Sequence, residues 1–519
     1  MSVVLSLFYI IVFSTLILKW KIFNDTFLSK RIIVSLFILK ISAGFTLNYI
    51  YSNHYNNRQD SDIFKYFDDS EHIYESLKTN PLHFSKLIFG IDNASKDLEP
   101  YLNKTKHWNY QSGQYAKLTG TTNSTFSNNR TITKFNAIVR IFSFGNISVH
   151  VIFMCFFSLL GSILLFKSYS GLIPTKNKLM LCLVLFLAPS VLLWSSGVLK
   201  EGLISFAMGA YIYSLFKLKK NQKWSLKFIV GCCGSLLLLS ITKYYIALLF
   251  LPLSLVFLIN SKGTKTIVLK YVSYLFFILI SLFAVESINF DFSIVNLLQN
   301  KQNEQVRIAK GGYYYVNFNQ NNTQQLVRFN NDLSKKSKPL KSEGNKDSLL
   351  LSIIEGIPYE KFSNGVFSKT QLTDSAFFCY FLDSFPKANS YYTIPTIKSN
   401  LFTVLLNVPK AIFNVFTKPL FKESNSLLFV ACSIENLCVL VFLFYVLIKF
   451  RINSNNIEII LFNVVFSMQL FALVGLTCPV IGSLVRFKMP GLMLLLISLS
   501  LLMSNPNKKL LTSLSKKNC

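Results

Sequence analysis

The sequence predicts an all-α fold, a polytopic transmembrane helical bundle of about eleven spans, with two large external loops carrying amphipathic surface helices. Three observations lead there. Of 519 residues 51% are hydrophobic and the mean hydropathy is +0.42, too apolar for an ordinary water-soluble domain. Apolar runs of the length that crosses about 30 Å of hydrocarbon recur along the chain. Lysine and arginine gather in every second connection between them.

The runs fall at about 2–18, 32–50, 147–166, 179–195, 202–217, 228–242, 244–261, 268–286, 425–448, 457–474 and 485–503. Several are separated by only a few residues, so neighbouring helices must form tight hairpins. An open sheet is excluded, because hydrocarbon leaves its edge unsatisfied. The division is two N-terminal spans (1–50), an external acidic loop with juxtamembrane helices (51–146), a six-span core (147–286), a second external loop with an interfacial helix near 401–417 (287–424), and three C-terminal spans with a basic tail (425–519).

Orientation follows from the cations. Lys19, Lys21, Lys30 and Arg31 follow the first span, Lys217, Lys219 and Lys220 the fifth, Lys449 and Arg451 the ninth, and Lys508, Lys509, Lys516 and Lys517 the last. This positive-inside pattern places the N-terminus outside and the C-terminus in the cytoplasm. It also accounts for much of the formal charge of +29, which is spread over small patches rather than gathered on a basic domain. Nucleic acid is thereby excluded as a partner. MSVVLSLFYIIVFSTLILKWK has lysines after its apolar core and none before, so it reads as a retained anchor and not a cleaved signal. Of nine cysteines, Cys155, Cys182, Cys232, Cys233, Cys432 and Cys438 lie within spans; external Cys379 and Cys478 have no paired spacing, and neither a disulfide framework nor a zinc site is expected.

Function is sought in the external loops. In DSDIFKYFDDSEHIYESL (60–77), Asp60-Ser61-Asp62 is a good helix start, and Ile63, Phe64, Phe67, Tyr74 and Leu77 follow at mostly helical spacings. Asn80-Pro81 then caps a second amphipathic piece. Asp62, Tyr66 and Asp69 are spaced i, i+4, i+7 and share a face. Asp60 and Asp62 either cap the helix and favour its dipole, or one of them is a general base over the membrane surface.

WSSGVLKEG (194–202) lies in the external turn between spans four and five. Lys200 falls at the start of a helix, where the dipole opposes a cation by a few tenths to about 1 kcal/mol. It therefore needs an anion. Glu201 supplies one in the bland reading; in the sharper one, helix amides and lysine together hold a phosphate. Lys243, in ITKYYIALL, and Arg486 with Lys488, in GSLVRFKMP, are further cations on the side that should be poor in them. Snorkelling explains each alone. Together they suit a phosphate on a membrane lipid, arginine by its fork and lysine as a point charge.

The stretches DSDIFKYFDDS, WSSGVLKEG and GSLVRFKMP, within a layout of many spans and two large external loops, resemble the polytopic glycosyltransferases of the GT-C class. The resemblance implies that Asp62 or Asp60 is the catalytic base, that Lys200, Lys243 and Arg486 bind the phosphate of a polyprenyl-linked sugar, and that Tyr66, Asp69, Glu201 and Lys488 support them. It implies a polyprenyl-linked sugar donor and a glycan, lipid or protein acceptor as partners, with membrane lipids around. Members usually carry the acidic loop after the first span; here it follows the second. The chemistry is coherent: displacing a polyprenyl phosphate from an anomeric carbon needs a base for the acceptor hydroxyl and positive charge for the leaving group. The sequence points to no certain cofactor, and a divalent metal at DSD or DD is left open.

The second loop is polar at first and becomes aromatic, with Tyr391 and Tyr392 placed to stack on sugars or to anchor at the interface. Stretch 401–417 is short, carries Pro409 in its middle, and reads as interfacial or re-entrant. The expected activity is sugar transfer on the outer face of a bacterial cytoplasmic membrane. The alternatives are a polysaccharide (O-antigen-like) polymerase, a transporter or flippase of lipid-linked glycans, which predicts charges deep within spans and inverted repeats, and a scaffold without chemistry.

Overall fold

The computed structural model describes residues 2–54, 58, 61–91, 95–105, 108, 128–221, 225–287, 293–310, 388, 390–397, 400–423, 426–449 and 456–503, with short strands between 314 and 384. The N-terminal helices are α1 (Ser2–Lys19) and α2 (Lys30–His54). The first loop contributes α3 (Asp62–Thr79), α4 (Pro81–Phe89), the single turn α5 (Glu99–Leu102) and α6 (Asn128–Ser143). The core follows as α7 (Ile147–Tyr169), α8 (Lys178–Cys182), α9 (Pro189–Trp194), α10 (Lys200–Asn221), α11 (Leu226–Leu258) and α12 (Thr264–Ser287). After α13 (Ile294–Lys310) come the strands, then α14 (Leu401–Thr417), α15 (Leu427–Lys449), α16 (Ile457–Thr477) and α17 (Ile481–Met503).

Eight of these helices are long and apolar enough to cross a membrane, which makes this an integral membrane protein by composition. Seven of the eleven predicted spans each become one such helix. Two others, 228–242 and 244–261, merge into α11, and the remaining two differ for local reasons. Span 179–195 is broken: α8 runs into a π-helical turn, Leu183–Leu187, and the chain restarts as α9 with Pro189 at its first position, where a missing N–H costs nothing. Span 202–217 is α10, less apolar because its glycines, serines and tyrosines face other helices and not lipid.

The 33-residue α11 is not straight. Lys243 has extended backbone angles, φ −149° and ψ 89°, which interrupt the helical ladder. Tyr211 of α10 touches both arms: its hydroxyl lies 2.7 Å from Ser254 Oγ, and its carbonyl 4.0 Å from Cys232 Sγ. In a straight helix those two partners would stand about 33 Å apart. The chain therefore turns back at Lys243.

Packing is tightest where α7 meets α10. A Cβ on Gly209 would lie 2.1 Å from the Gly161 carbonyl oxygen, so only glycine lets the two backbones meet. Helices α7 and α17 are almost wholly buried, whereas α1 and α12 expose rows of apolar residues such as Val3, Leu7 and Ile11, or Val272, Phe276 and Phe277, the surface that lipid would cover.

The loop helices are laid against one end of this bundle. Helix α3 buries Ile63, Phe64, Phe67 and Ile73, and its follower α4 starts with the expected cap, Asn80 Oδ1 accepting the Leu82 N–H ahead of a closing Gly90 at φ 74°. Helix α6 was not evident in the sequence, because Thr133, Asn136 and Arg140 interrupt its buried face of Ile132, Ala137 and Val139. These polar residues are the fasteners. Arg140 donates to Ser70 Oγ and to the Phe67 carbonyl, each at 2.8 Å, and His150 of α7 bridges Ser143 (2.8 Å) and Asn136 (3.0 Å).

In the second loop α14 occupies 401–417 as expected, capped by Asn400 and passing through Pro409 unbroken. The strands were not anticipated: Tyr314–Asn317 pairs antiparallel with Gln324–Phe329, and Pro358–Ser363 with Val366–Gln371. The all-α expectation thus holds for the bundle and its surface helices, not for this segment.

Candidate functional site

Four helices, α3, α10, α11 and α17, bring charge to one place, and α6 and α9 add neutral side chains to it. Asp62 is the first residue of α3, and its Oδ2 accepts from Arg486 Nη1 of α17 at 2.8 Å. The same guanidinium reaches Glu201 Oε2 of α10 at 3.3 Å, and Glu201 Oε1 takes Lys243 of the α11 turn at 3.3 Å. Lys65, one helical turn after Asp62, lies 2.9 Å from its other oxygen. Lys200 takes a different partner: its ammonium donates to Asn129 Oδ1 of α6 at 2.6 Å, as does the Tyr66 hydroxyl at 3.0 Å. The walls are aromatic, with Trp194 of α9 5.6 Å from Arg486 Cζ, Phe487 3.7 Å from Lys243 Nζ and Tyr66 5.5 Å from Lys200 Nζ.

Local structure explains why each side chain arrives there. The turn at Lys243 carries its ammonium, buried to 6% exposure, to Glu201 inside the bundle. Lys200 and Glu201 are adjacent, and adjacent helical residues diverge by about 100°. One faces α6 and the other α17. The expected internal pairing of those two is therefore replaced by partners on other helices. Gly202 sits against Met154, seven residues into α7, so the cluster lies about 10 Å below the end of that helix. Helices α3 and α6 both reach it, through Asp62, Tyr66 and Asn129.

The electrostatics are uneven. Lys65, Lys200, Lys243 and Arg486 stand against Asp62 and Glu201, so two positive charges are unmatched among the described residues. Lys200 has no carboxylate within ion-pair distance among them. Glu201 is 1% exposed and fixed, whereas the Asp62 side chain is 30% exposed. Burial works against charge on Asp62, but Lys65 and Arg486 overcome it and hold the carboxyl well below the ordinary range. Burial, with Asp62 alongside, pushes the Tyr66 phenol well above its usual value, so it stays protonated. Arg486 Nε, Trp194 Nε1, Tyr245 Oη and Ser61 Oγ, all on residues in or next to the cluster, are buried without a protein partner among the described residues. Each such donor costs about 1–3 kcal/mol unless an acceptor meets it.

Of the residues singled out in the sequence, the structure joins Asp62, Tyr66, Lys200, Glu201, Lys243 and Arg486. It does not join Asp69 or Lys488. Asp69 shares the angular face of Asp62 but lies about 10 Å further along α3, where it is buried and accepts the Trp108 N–H at 2.9 Å. Lys488 is two residues, about 200°, round the helix from Arg486; it faces away and donates to the Val415 carbonyl (2.9 Å) and Asn436 (2.7 Å), clamping the end of α14. Asp60 lies outside the described residues. Lys65 belongs to the cluster as the i+3 neighbour of Asp62, a spacing legible in the sequence; nothing in the sequence points to Asn129. No set of three His, Cys, Asp or Glu side chains converges as metal ligands among the described residues. Tyr392 is buried, its hydroxyl on the Cys478 carbonyl at 2.8 Å.

No family profile, curated protein or solved structure matches this chain.

Proposed function

We propose that the protein is a membrane glycosyltransferase that moves a sugar from a polyprenyl phosphate or pyrophosphate carrier to a glycan, lipid or protein acceptor, on the outer face of a bacterial cytoplasmic membrane with the N-terminus outside. What carries the reading is the cluster itself: among the described residues, a partly exposed carboxylate on a surface helix stands over an excess of two positive charges and several unpartnered donors. A pyrophosphate carries two negative charges and a phosphodiester gains its second as it leaves the sugar, so either carrier meets both demands. Lys200, which no carboxylate among the described residues pairs with, is the first contact for the carrier phosphate, and Arg486 the second. Lys243 is committed to Glu201 and to the Phe487 ring, so its part is to hold Glu201 in place. Asp62 takes the proton of the acceptor hydroxyl as that oxygen bonds to the anomeric carbon and the carbon–phosphate oxygen bond breaks. Cations help only so far as they bind the departing phosphate better than the intact donor.

One observation favours transport of lipid-linked glycans instead. Lys40 of α2 is 1% exposed within a span, a burial usually tied to a pathway. Its ammonium donates to Ser195 Oγ at 2.7 Å, in the turn that carries Trp194 and Lys200, which makes it a brace for the cluster. Transfer is the reading preferred. Membranes carrying Asp62→Asn or Lys200→Ala should lose surface-glycan modification while the protein is inserted at normal levels. Unaltered glycan in both strains would end the catalytic reading.

A further inference from the structure

The cluster poses a chemical difficulty for its own base. A carboxylate clamped between Lys65 and Arg486 is a poor proton acceptor, because efficient bases bind protons near the working pH. Arg486 makes two ion pairs of unequal permanence. Glu201 is buried and anchored by Lys243, whereas Asp62 stands at the open end of α3, partly exposed, with Lys65 as an alternative partner 2.9 Å away. Asp62 is thus the partner an incoming anion would displace.

Building on the transferase reading, we infer that Asp62 and the phosphate of the lipid carrier are alternative occupants of the same Arg486 edge, so that loading the donor is what releases Asp62 to act as base. Before loading, Asp62 is neutralised twice and inert. When the phosphate takes Arg486, Asp62 keeps only Lys65 and its basicity rises. The acceptor's O–H then breaks toward Asp62, its oxygen bonds to the anomeric carbon, and the electron pair of the severed bond leaves with the carrier phosphate. An empty site is therefore protected from activating water.

The competition has a consequence opposite to that of an ordinary binding-site mutation: removing Asp62 should improve phosphate binding. The test measures undecaprenyl phosphate binding by the purified full-length protein in detergent. Asp62→Asn should bind about threefold to tenfold more tightly than wild type. Asp68→Asn removes the same charge from the same helix, from a carboxylate paired with Arg58 and not with Arg486, and should bind as wild type does. If Asp62→Asn is not recovered folded, Asp62→Ser serves. Unchanged or weaker binding by the Asp62 variant, or equal tightening by Asp68→Asn, would refute the competition and leave the transferase reading standing. No binding by wild type or variants would remove both.

Discussion

Arg486 Nη1 stands 2.8 Å from Asp62 Oδ2 although 424 positions separate the two residues in the chain. The contact ties α17, one of the most buried helices of the bundle, to the first residue of a surface helix. Its own contribution is modest, on the order of 1 kcal/mol, because the Asp62 side chain stays partly open to solvent. Its importance lies in the third member: the same guanidinium holds Glu201, which is withdrawn from water.

A fork that spans two carboxylates is not replaceable by a point charge. In Arg486→Lys the ammonium can meet Asp62 or Glu201 but not both, and it loses the donor offered to a departing phosphate. Sugar transfer in membrane vesicles should fall about 100-fold, the usual cost of losing one transition-state donor. Protein level and melting temperature should change little, because Lys243 still neutralises Glu201. Transfer within a few-fold of wild type would mean that only charge matters at this position.

The reversal at Lys243 makes a prediction about topology. Since Cys232 and Ser254 both lie beside Tyr211, the two ends of α11 leave the bundle on the same side. Single cysteines introduced at Ser225 and Asn260, in a chain whose nine native cysteines are replaced, should react with an impermeant thiol reagent from the same face of sealed vesicles. Labelling from opposite faces would show one continuous crossing.

Charge in an apolar chain was the legible part of this molecule. Lys200, Lys243 and Arg486 were visible because a cation at a tight turn on the less basic side calls for a reason, and Asp62 because it opens an amphipathic helix. That the turn between 242 and 244 reverses direction was legible too, from two apolar runs too long together for one crossing. Partnership was not legible. Helical angle puts Asp69 with Asp62, and only the rise along α3 separates them; proximity in sequence puts Lys488 with Arg486, and only the helical turn sends it to α14. Helix α6 escaped notice because its buried face is polar by design of its contacts, Arg140 to α3 and Asn136 to His150. The first strands of the second loop lie beside and within an Asn- and Lys-rich stretch whose composition gives no alternation to read.

The response to acid should separate Asp62 from the other carboxylates. Lys65 and Arg486 hold its carboxyl well below the ordinary range against the opposing effect of burial, so between the folded and unfolded values the unfolded chain binds the extra proton. Stability from this group is then complete above the unfolded carboxylate value near 4 and drains away as pH falls below it. The Arg486 tether should accordingly hold α3 in place throughout mildly acidic conditions. Thermal unfolding followed by tryptophan fluorescence, comparing wild type with Asp62→Asn, should show a melting-temperature gap that is constant from about pH 8 to pH 5 and narrows only below about pH 4. A gap that closes between neutrality and pH 5 would mean that Asp62 titrates much higher than its two cations permit, and that the pair with Arg486 does not form in the membrane protein.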